Sequence, residues 1–199
     1  MKKIGITGGI GSGKTTVCEI FRLLGIPVFY ADLEAKNLQN KDLSVKKQII
    51  SLLGENTYTN DGTLDRKKVA DIIFNDPEAL AAMNTIIHPG VRESFLKWCG
   101  NYPGYPYVLY EAAILFESGY AGDFNRNILV LADEQLRISR VVRRDHIQEE
   151  IVKQRISIQM SDNQKVKLAD YLIENNNTSL LIPQILKIDK IIREDGKNW

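Results

Sequence analysis

The sequence predicts an α/β fold in which a doubly wound, parallel sheet of five strands carries helices on both faces. Five short apolar segments, rich in β-branched and aromatic residues, are separated along the chain by stretches with helical spacing. The segment Ile128-Leu129-Val130-Leu131 shows no polar alternation, which is typical of a strand covered on both faces. Strands that alternate with helices in this way favour a mostly parallel sheet.

A helix is predicted between the first two strands in the sequence. Ile4-Gly5-Ile6 is the first predicted strand, and a glycine-rich turn leads from it into a helix whose apolar residues recur at i, i+3, i+4 and i+7 from Val17. Gly25 is suited to end this helix because a C′ residue often adopts the left-handed conformation. The second strand covers residues 27–30 and stops just before Asp32. The remaining strands are predicted at 107–110, 128–131 and 171–173, and the later helices near 134–144, 148–158 and 180–192.

A long helical interval separates the second strand from the third. Residues 43–99 are predicted to be mostly helical, and Asp76-Pro77-Glu78 marks a helix start because it combines an N-cap acid with proline at the first helical position. The interval is too long for a simple crossover between strands. We therefore expect a single domain with a separate helical lobe inserted into it.

The composition narrows the class of protein. The chain has 199 residues, of which 44% are hydrophobic and 26% charged, and its formal net charge is +1. This balance argues against a nucleic-acid partner, since nucleic-acid binders usually carry a basic excess. Two separated cysteines, Cys18 and Cys99, form neither a disulfide framework nor a metal-ligand spacing, which favours a reduced, cytoplasmic setting. No apolar run approaches the length of a membrane span, so no membrane partner is expected.

The turn after the first strand matches the pattern of a phosphate-binding loop (P-loop). Residues 8–15 read Gly-Gly-Ile-Gly-Ser-Gly-Lys-Thr and fit G-x-x-x-x-G-K-[ST]. Glycines let backbone amides approach phosphates, and successive N–H groups at a helix N-terminus form an anion cradle. Lys14 is expected to reach the β- and γ-phosphates, and Thr15 to place its hydroxyl on Mg²⁺. The alternative is a turn that binds nothing, but the preceding strand and the following amphipathic helix favour a P-loop NTPase-type fold.

The motif indicates a nucleoside triphosphate without naming the reaction. A GTPase is disfavoured because Asn40-Lys41-Asp42-Leu43 departs from N-K-x-D and follows no strand. A kinase for a small acceptor needs the loop, Mg²⁺, a group that takes the acceptor's proton, and cations for the moving phosphoryl group. Asp32 lies just past the second strand, where ligands collect in such sheets, and is a candidate base. A cap for the following helix is the alternative interpretation of Asp32.

Arginines are concentrated in one predicted helix. Arg137, Arg140 and Arg144 are spaced i, i+3 and i+7, so they share one side of it. Guanidinium groups suit bidentate contacts with phosphate oxygens, which the lid segments of phosphoryl-transfer enzymes need. The alternative is a basic face exposed to solvent, the more common outcome for a run of charges.

Eight short segments follow one another along nearly the whole chain. They are IGITGGIGSGKTT at 4–16, VFYAD at 28–32, LDRKKVADIIF at 64–74, IHP at 87–89, ILFESG at 114–119, RVVRRD at 140–145, RISIQMS at 155–161 and ADYLIENN at 169–176. This combination resembles the dephospho-coenzyme A kinase family. The order and spacing of the segments are more specific than the P-loop alone.

The resemblance implies transfer of the γ-phosphate of MgATP to the ribose 3′-hydroxyl of dephospho-CoA, the last step of coenzyme A synthesis. ATP and dephospho-CoA are then the small-molecule partners, and no nucleic acid is involved. It also implies a nucleotide-binding core at about 1–32, 105–133 and 163–199, an acceptor-binding helical lobe at about 33–104, and a helical lid at about 134–162. For the assembly we expect a monomer or a weak homo-oligomer.

Individual roles follow from the same resemblance. Asp32 is implied as the base that takes the 3′-hydroxyl proton, and Arg140 as the lid arginine that stabilises the transferring phosphoryl group. Lys14 completes the expected catalytic set, and Thr15 is the expected protein ligand of Mg²⁺. ATP is expected to bind Gly8, Gly11, Ser12, Gly13, Lys14, Thr15, Thr16, Arg144 and Asn175, and the acceptor to bind Asp32, Leu64, Arg66 and His88.

Some positions depart from the family pattern or add to it. The family often has D-x-D around the catalytic acid, but Tyr30 stands at the first position here, which argues against a metal role for that position. Ala113 stands where the family favours proline. Glu111 ends the third strand and is a further candidate for orienting Mg²⁺ through water, whereas Glu117 matches a family glutamate with an expected structural role.

Two other functions remain open on the residues alone. One is a kinase for nucleoside monophosphates or nucleosides, which would share the fold and the loop and differ only in its acceptor. The other is a P-loop ATPase that acts as a nucleic-acid-stimulated motor or a nucleotide-gated switch, against which the near-zero net charge counts.

Overall fold

The computed structural model describes residues 1–194 and has the predicted parallel sheet. The strands are β1 Lys2–Thr7, β2 Val28–Tyr30, β3 Tyr107–Glu111, β4 Arg126–Leu131 and β5 Tyr171–Glu174. Their order across the sheet is β2-β3-β1-β4-β5, and every neighbouring pair is parallel. Residues 195–199 of the predicted core segment 163–199 lie outside the described residues.

The three predicted helices after β4 agree with α6, α7 and α9 to within two residues, and the interval 43–99 is mostly helical as predicted, whereas no bounds were predicted for α2 and α8. Ser161 begins α8 with a capping box, in which its hydroxyl accepts from Gln164 N and the Gln164 side chain accepts from Ser161 N. None of the helices in residues 1–194 combines the length and apolar content needed to cross a bilayer. The helices are α1 Lys14–Leu23, α2 Ala31–Lys41, α3 Leu43–Leu53, α4 Arg66–Asn75, α5 Pro77–Cys99, α6 Glu134–Asp145, α7 Glu149–Ser157, α8 Asp162–Val166 and α9 Leu181–Glu194.

Both faces of the sheet are covered, as predicted for a doubly wound fold. Ile4 and Ile6 of β1 belong to a buried cluster with residues of α1 and α9 on one face. The other face carries aromatic packing, in which the Tyr110 ring lies 5.6 Å from that of Phe29 and 5.0 Å from that of Phe124. Because successive residues of a strand point to opposite faces, β3 and β4 need apolar side chains at almost every position.

The end of α1 confirms the predicted role of Gly25. This glycine has φ +81°, a left-handed conformation that a residue with a Cβ adopts at a cost. Its amide donates to the Arg22 oxygen at 2.9 Å, and the Ile26 amide donates to the Phe21 oxygen at 3.0 Å. These two bonds satisfy carbonyls in the last turn of α1 and direct the chain toward β2.

The chain divides into two compact units. The first contains the sheet and its helices, and the second is the helical segment Ala31–Asn101. Within the second unit, α5 packs against α2, α3 and α4. Its start is the predicted one, since Asp76 accepts hydrogen bonds from the Glu78 and Ala79 amides at 3.0 Å. Gly90 of α5 lies against Leu38 of α2, so a larger residue there would press the two helices apart.

Candidate active site

The P-loop joins β1 to α1 in the predicted way. Gly11 and Gly13 have φ of +78° and +91°, so both need the conformational freedom of glycine. Gly13 is the N-cap of α1 and makes no side-chain cap, which directs the first backbone amides of the helix toward a ligand rather than a protein side chain. Lys14 Nζ donates to the Gly8 oxygen at 2.9 Å, so the ammonium group lies over the loop.

All seven predicted ATP-binding residues between Gly8 and Thr16 therefore belong to one loop and the first turn of one helix. Thr15 and Thr16 are exposed, whereas Ser12 is completely buried. The Ser12 amide donates to the Gly9 oxygen at 3.1 Å, closing the turn inside the loop. This arrangement can hold the phosphates of a nucleotide at the N-terminus of α1.

Asn175 comes to the same edge of the sheet because β5 runs parallel to β1. Its side-chain Nδ2 donates to the Ser12 oxygen at 2.8 Å, and its backbone amide donates to the Leu131 oxygen at 2.8 Å. A Cβ at Gly13 would collide with the Asn175 amide, which gives Gly13 a second reason to be glycine. The predicted nucleotide residue Asn175 is thus bound directly to the P-loop.

The two asparagines that follow Asn175 also make specific hydrogen bonds. Asn176 Oδ1 accepts from the Asp133 amide at 2.8 Å, just before α6 begins. Asn177 adopts a left-handed φ of 62° and its Oδ1 accepts from Arg140 Nη2 at 2.9 Å. The three asparagines link β5, the P-loop and α6.

The α6 arginines have three different environments, so the interpretation of one solvent-exposed basic face is wrong for part of the set. Arg140 is half-buried and donates from Nη2 to the Asn175 oxygen at 2.9 Å and from Nη1 to the Gly11 oxygen at 3.4 Å. Arg137 is 5% exposed and lies 3.3 Å from the Asp162 carboxylate. Arg144 is exposed and forms two hydrogen bonds with Asp145, which raise the pKa of the Arg144 guanidinium.

Glu111 lies at the carboxyl end of β3 and is 8% exposed. β3 lies beside β1, and Glu111 is in register with Ile6, so the two strands end together just before the P-loop. Burial, followed by the Glu111 charge, raises the pKa of the Cys18 thiol far above its ordinary value. Cys18 is therefore an inert core thiol.

Tyr30 is held by α1 at the position where the family often has an acid. Its hydroxyl donates to Glu19 Oε1 at 2.8 Å, and the Glu19 carboxylate also pairs with Arg22 at 2.8 Å. Burial and then the bond to Glu19 raise the pKa of the Tyr30 phenol well above its usual range. Tyr30 is thus a neutral side chain anchored to α1.

The predicted base and acceptor residues belong to the helical unit. Asp32 is exposed and is the second residue of α2, which begins directly after β2; it lies inside the first turn rather than at a cap position. Leu64 is 5% exposed, and its amide donates to Asn40 Oδ1 at 3.0 Å. Arg66 is exposed at the start of α4, whereas His88 is half-buried in α5, where burial lowers its pKa.

Gln159 is a site residue that the sequence analysis did not single out. Its Oε1 accepts a hydrogen bond from the Ile10 amide of the P-loop at 3.0 Å. The residue lies just beyond α7, in the segment RISIQMS that contributes to the family resemblance. That resemblance was the signal available in the sequence, because nothing in the spacing of the residues links positions 10 and 159.

Comparison with known proteins identifies the family. A protein-family model described as Dephospho-CoA kinase matches residues 2–180. A dephospho-CoA kinase from Bacteroides fragilis is 39% identical over 186 residues, which cover 94% of this chain and 90% of the relative. One from Chlorobaculum tepidum is 42% identical over 182 residues, covering 88% of this chain and 86% of the relative.

A solved structure agrees with these sequence relatives. The dephospho-CoA kinase from Campylobacter jejuni superposes with a TM-score of 0.69 at 26% identity. The match covers 96% of this chain and 97% of that structure. The similarity therefore includes both the sheet and the helical segment between β2 and β3.

Proposed function

Because this chain belongs to the dephospho-CoA kinase family and is an ATP-dependent kinase, we propose that it transfers the γ-phosphoryl group of ATP to the ribose 3′-hydroxyl of dephospho-CoA. The products are coenzyme A and ADP. The observation that carries this proposal is the P-loop between β1 and α1, built on left-handed Gly11 and Gly13 with Lys14 above it, in a chain matched by the family over residues 2–180.

The P-loop holds the triphosphate in this proposal. Lys14 exchanges its neutral partner, the Gly8 oxygen, for the β- and γ-phosphate oxygens, since bonds between charged groups are stronger. The residues present also fit Mg²⁺, which takes few protein ligands when it is bound with a nucleotide: Thr15 is exposed in the first turn of α1, and Glu111 is a buried carboxylate at the end of β3, the strand beside β1. When bound, Mg²⁺ neutralises developing charge on the phosphate oxygens.

Asp32 is the general base in this proposal. The acceptor's 3′-oxygen forms a bond to the γ-phosphorus while the bond from that phosphorus to the bridging oxygen of ADP breaks. The proton of the 3′-hydroxyl passes to the Asp32 carboxylate. Arg66 and His88 of the helical unit bind the acceptor, with Leu64 contributing through packing.

The segment at about 134–162, which contains α6 and α7, acts as the lid. Arg140 is already held near the P-loop by Gly11 and Asn175, and it stabilises the transferring phosphoryl group when ATP binds. Arg144 is exposed and supplies a second cation to the phosphates. Asn175 contributes on the adenine side, and closure of the lid excludes water that would otherwise hydrolyse ATP.

Release of ADP from MgATP tests the function. Purified protein is given dephospho-CoA, AMP, adenosine or no acceptor, and the product is identified by mass. We expect ADP release that depends on dephospho-CoA, with coenzyme A as the second product. Release with AMP or adenosine alone assigns a different acceptor, and ATP hydrolysis stimulated by DNA or RNA without any small acceptor contradicts the kinase.

A further inference from the structure

The P-loop is bound by the short segment at the end of the lid, between α7 and α8. Gln159 Oε1 accepts from the Ile10 amide at 3.0 Å, across a sequence separation of 149 residues. An amide that is engaged in this way points at a protein oxygen and does not join the amides that face a phosphate. The bond instead sets the orientation of the Gly9–Ile10 peptide, whose Gly9 oxygen accepts from the Ser12 amide at 3.1 Å.

Arg137 covers the same side of the loop. A Cβ at Gly9 would collide with its guanidinium group, and a Cβ at Gly11 would collide with its backbone oxygen. The guanidinium is held by Asp162 at 3.3 Å, and Asp162 lies three residues beyond Gln159. The segment 159–162 therefore contacts the first half of the P-loop in two ways. Gln159 bonds to it directly, and Asp162 holds Arg137 against it.

The segment that carries Gln159 is itself fixed to Glu117, in the turn region that follows β3. The Met160 amide donates to Glu117 Oε1 at 3.0 Å, and Lys165 Nζ lies 2.9 Å from the same oxygen. The Lys165 side chain is 0% exposed and the Glu117 side chain 19% exposed, so solvent weakens this ion pair little. Since Met160 adjoins Gln159, the pair restricts where the Gln159 side chain can reach.

We propose that Gln159 is a positioning residue for the P-loop: its carboxamide oxygen holds the Gly9–Ile10 peptide in the orientation that the phosphates of ATP require, without contacting the nucleotide. The proposal rests on the P-loop being the ATP site of the proposed function. It extends the set of residues that determine ATP affinity from the loop itself to the return segment of the lid. Glu117 and Lys165 support Gln159 through the adjoining Met160.

Gln159→Met is the decisive variant. Methionine preserves the length of the side chain and removes the acceptor oxygen, and the adjoining cavity of about 360 Å³ leaves room for it. Gln159→Glu retains an acceptor oxygen, and Gln154→Met, an exposed position on α7, makes the same change away from the loop. Binding of MgATP is measured by calorimetry without any acceptor, together with hydrogen exchange at the Ile10 amide.

We expect Gln159→Met to raise the Kd for MgATP about fivefold, the change expected for one lost hydrogen bond, and to speed exchange at Ile10. Gln159→Glu should keep Ile10 protected, and Gln154→Met should match the wild type in both measurements. Wild-type MgATP affinity in Gln159→Met overturns the proposal, as does rapid exchange at Ile10 in the wild type. Both measurements remain decisive even if the wild type fails to phosphorylate dephospho-CoA, because neither uses the acceptor.

Discussion

The side-chain amide of Asn175 donates a hydrogen bond to the main-chain oxygen of Ser12 at 2.8 Å, joining the turn after β5 to the P-loop. The two residues are 163 positions apart in the chain. They meet because β1 and β5 lie in one parallel sheet, whose carboxyl ends share an edge. Arg140 donates to the backbone oxygen of the same asparagine, so Asn175 connects the loop to the lid helix.

Loss of the Asn175 amide should weaken nucleotide binding. Asn175→Ala removes the bond to Ser12 and the longer contact from Arg140 Nη2 to Asn175 Oδ1 at 3.4 Å, but keeps the backbone oxygen that Arg140 uses at 2.9 Å. We expect the Kd for MgATP to rise about fivefold, corresponding to roughly 1 kcal/mol for the lost hydrogen bond. Calorimetric titration measures the change, and Asn101→Ala, an exposed position outside the site, is the control. Unchanged affinity in Asn175→Ala would show that the bond does not hold the loop in its ATP-binding form.

A comparison of Gly13 with Gly25 tests whether Asn175 leaves no room for a side chain at Gly13. Both have left-handed φ values, +91° and +81°, but a Cβ at Gly13 meets Asn175 whereas a Cβ at Gly25 has nothing within 4 Å. Gly25→Ala should lose roughly 1–2 kcal/mol of unfolding free energy and keep MgATP binding. Gly13→Ala should lose more stability and also lose MgATP binding. Urea unfolding and calorimetry separate the two effects, and equal behaviour of the variants would contradict the steric role of Asn175.

Replacement of Asp32 should separate catalysis from nucleotide binding. Asp32→Asn keeps the size of the side chain and removes the group that accepts the 3′-hydroxyl proton. We expect kcat to fall by about 10²–10⁴-fold with little change in the Kd for MgATP. Glu34→Gln, a second acid in the first turn of α2, is the control. Near-wild-type turnover of Asp32→Asn would reject the assignment of the base. Lys14→Ala, by contrast, should impair the use of ATP itself.

Replacing only the lysine of the buried Lys165–Glu117 ion pair should lower the unfolding free energy more than replacing both residues. Lys165→Met leaves the Glu117 carboxylate without its cation, and we expect the unfolding free energy to fall by about 3–5 kcal/mol. The double variant with Glu117→Gln leaves no uncompensated charge and should recover part of this loss. Urea unfolding of the wild type, the single variants and the double variant measures the coupling between the two charges. Lys97→Met is the control: it breaks the exposed pair with Glu93 and should change the unfolding free energy far less. An additive double variant would mean that the two charges are not coupled.

His88 should make the protein less stable as the pH falls below about 6.5, the ordinary pKa of histidine. Burial lowers its pKa in the folded state, so the unfolded chain takes up the proton first and the unfolding free energy decreases as the pH falls. Urea unfolding at pH 7.5 and 5.5 measures this decrease. His88→Gln should reduce it, while His146→Gln, which changes the other, exposed histidine, should not. An identical decrease in wild type and His88→Gln would assign the effect to other groups.

The five strands, the helical insertion and the P-loop could be predicted because each depends on residues that are near one another in the chain. The run Ile128-Leu129-Val130-Leu131 shows that both faces of a strand are covered, and the glycine and lysine spacing at residues 8–15 describes one continuous loop. Gly25 and Asp76 mark helix ends by local backbone chemistry. Patterns of this kind predict secondary structure and the class of ligand without knowledge of packing.

The environments of the polar side chains could not be predicted in the same way. Arg137, Arg140 and Arg144 look alike in the sequence, but one is buried against Asp162, one is bound to Asn175 and one is exposed. These differences arise from the order of strands in the sheet and from the packing of α6 against the P-loop. Burial and hydrogen-bond geometry depend on contacts between distant residues, such as the 149 positions that separate Ile10 from Gln159. Local sequence therefore established the nucleotide loop, whereas the folded chain established which side chains hold that loop in place.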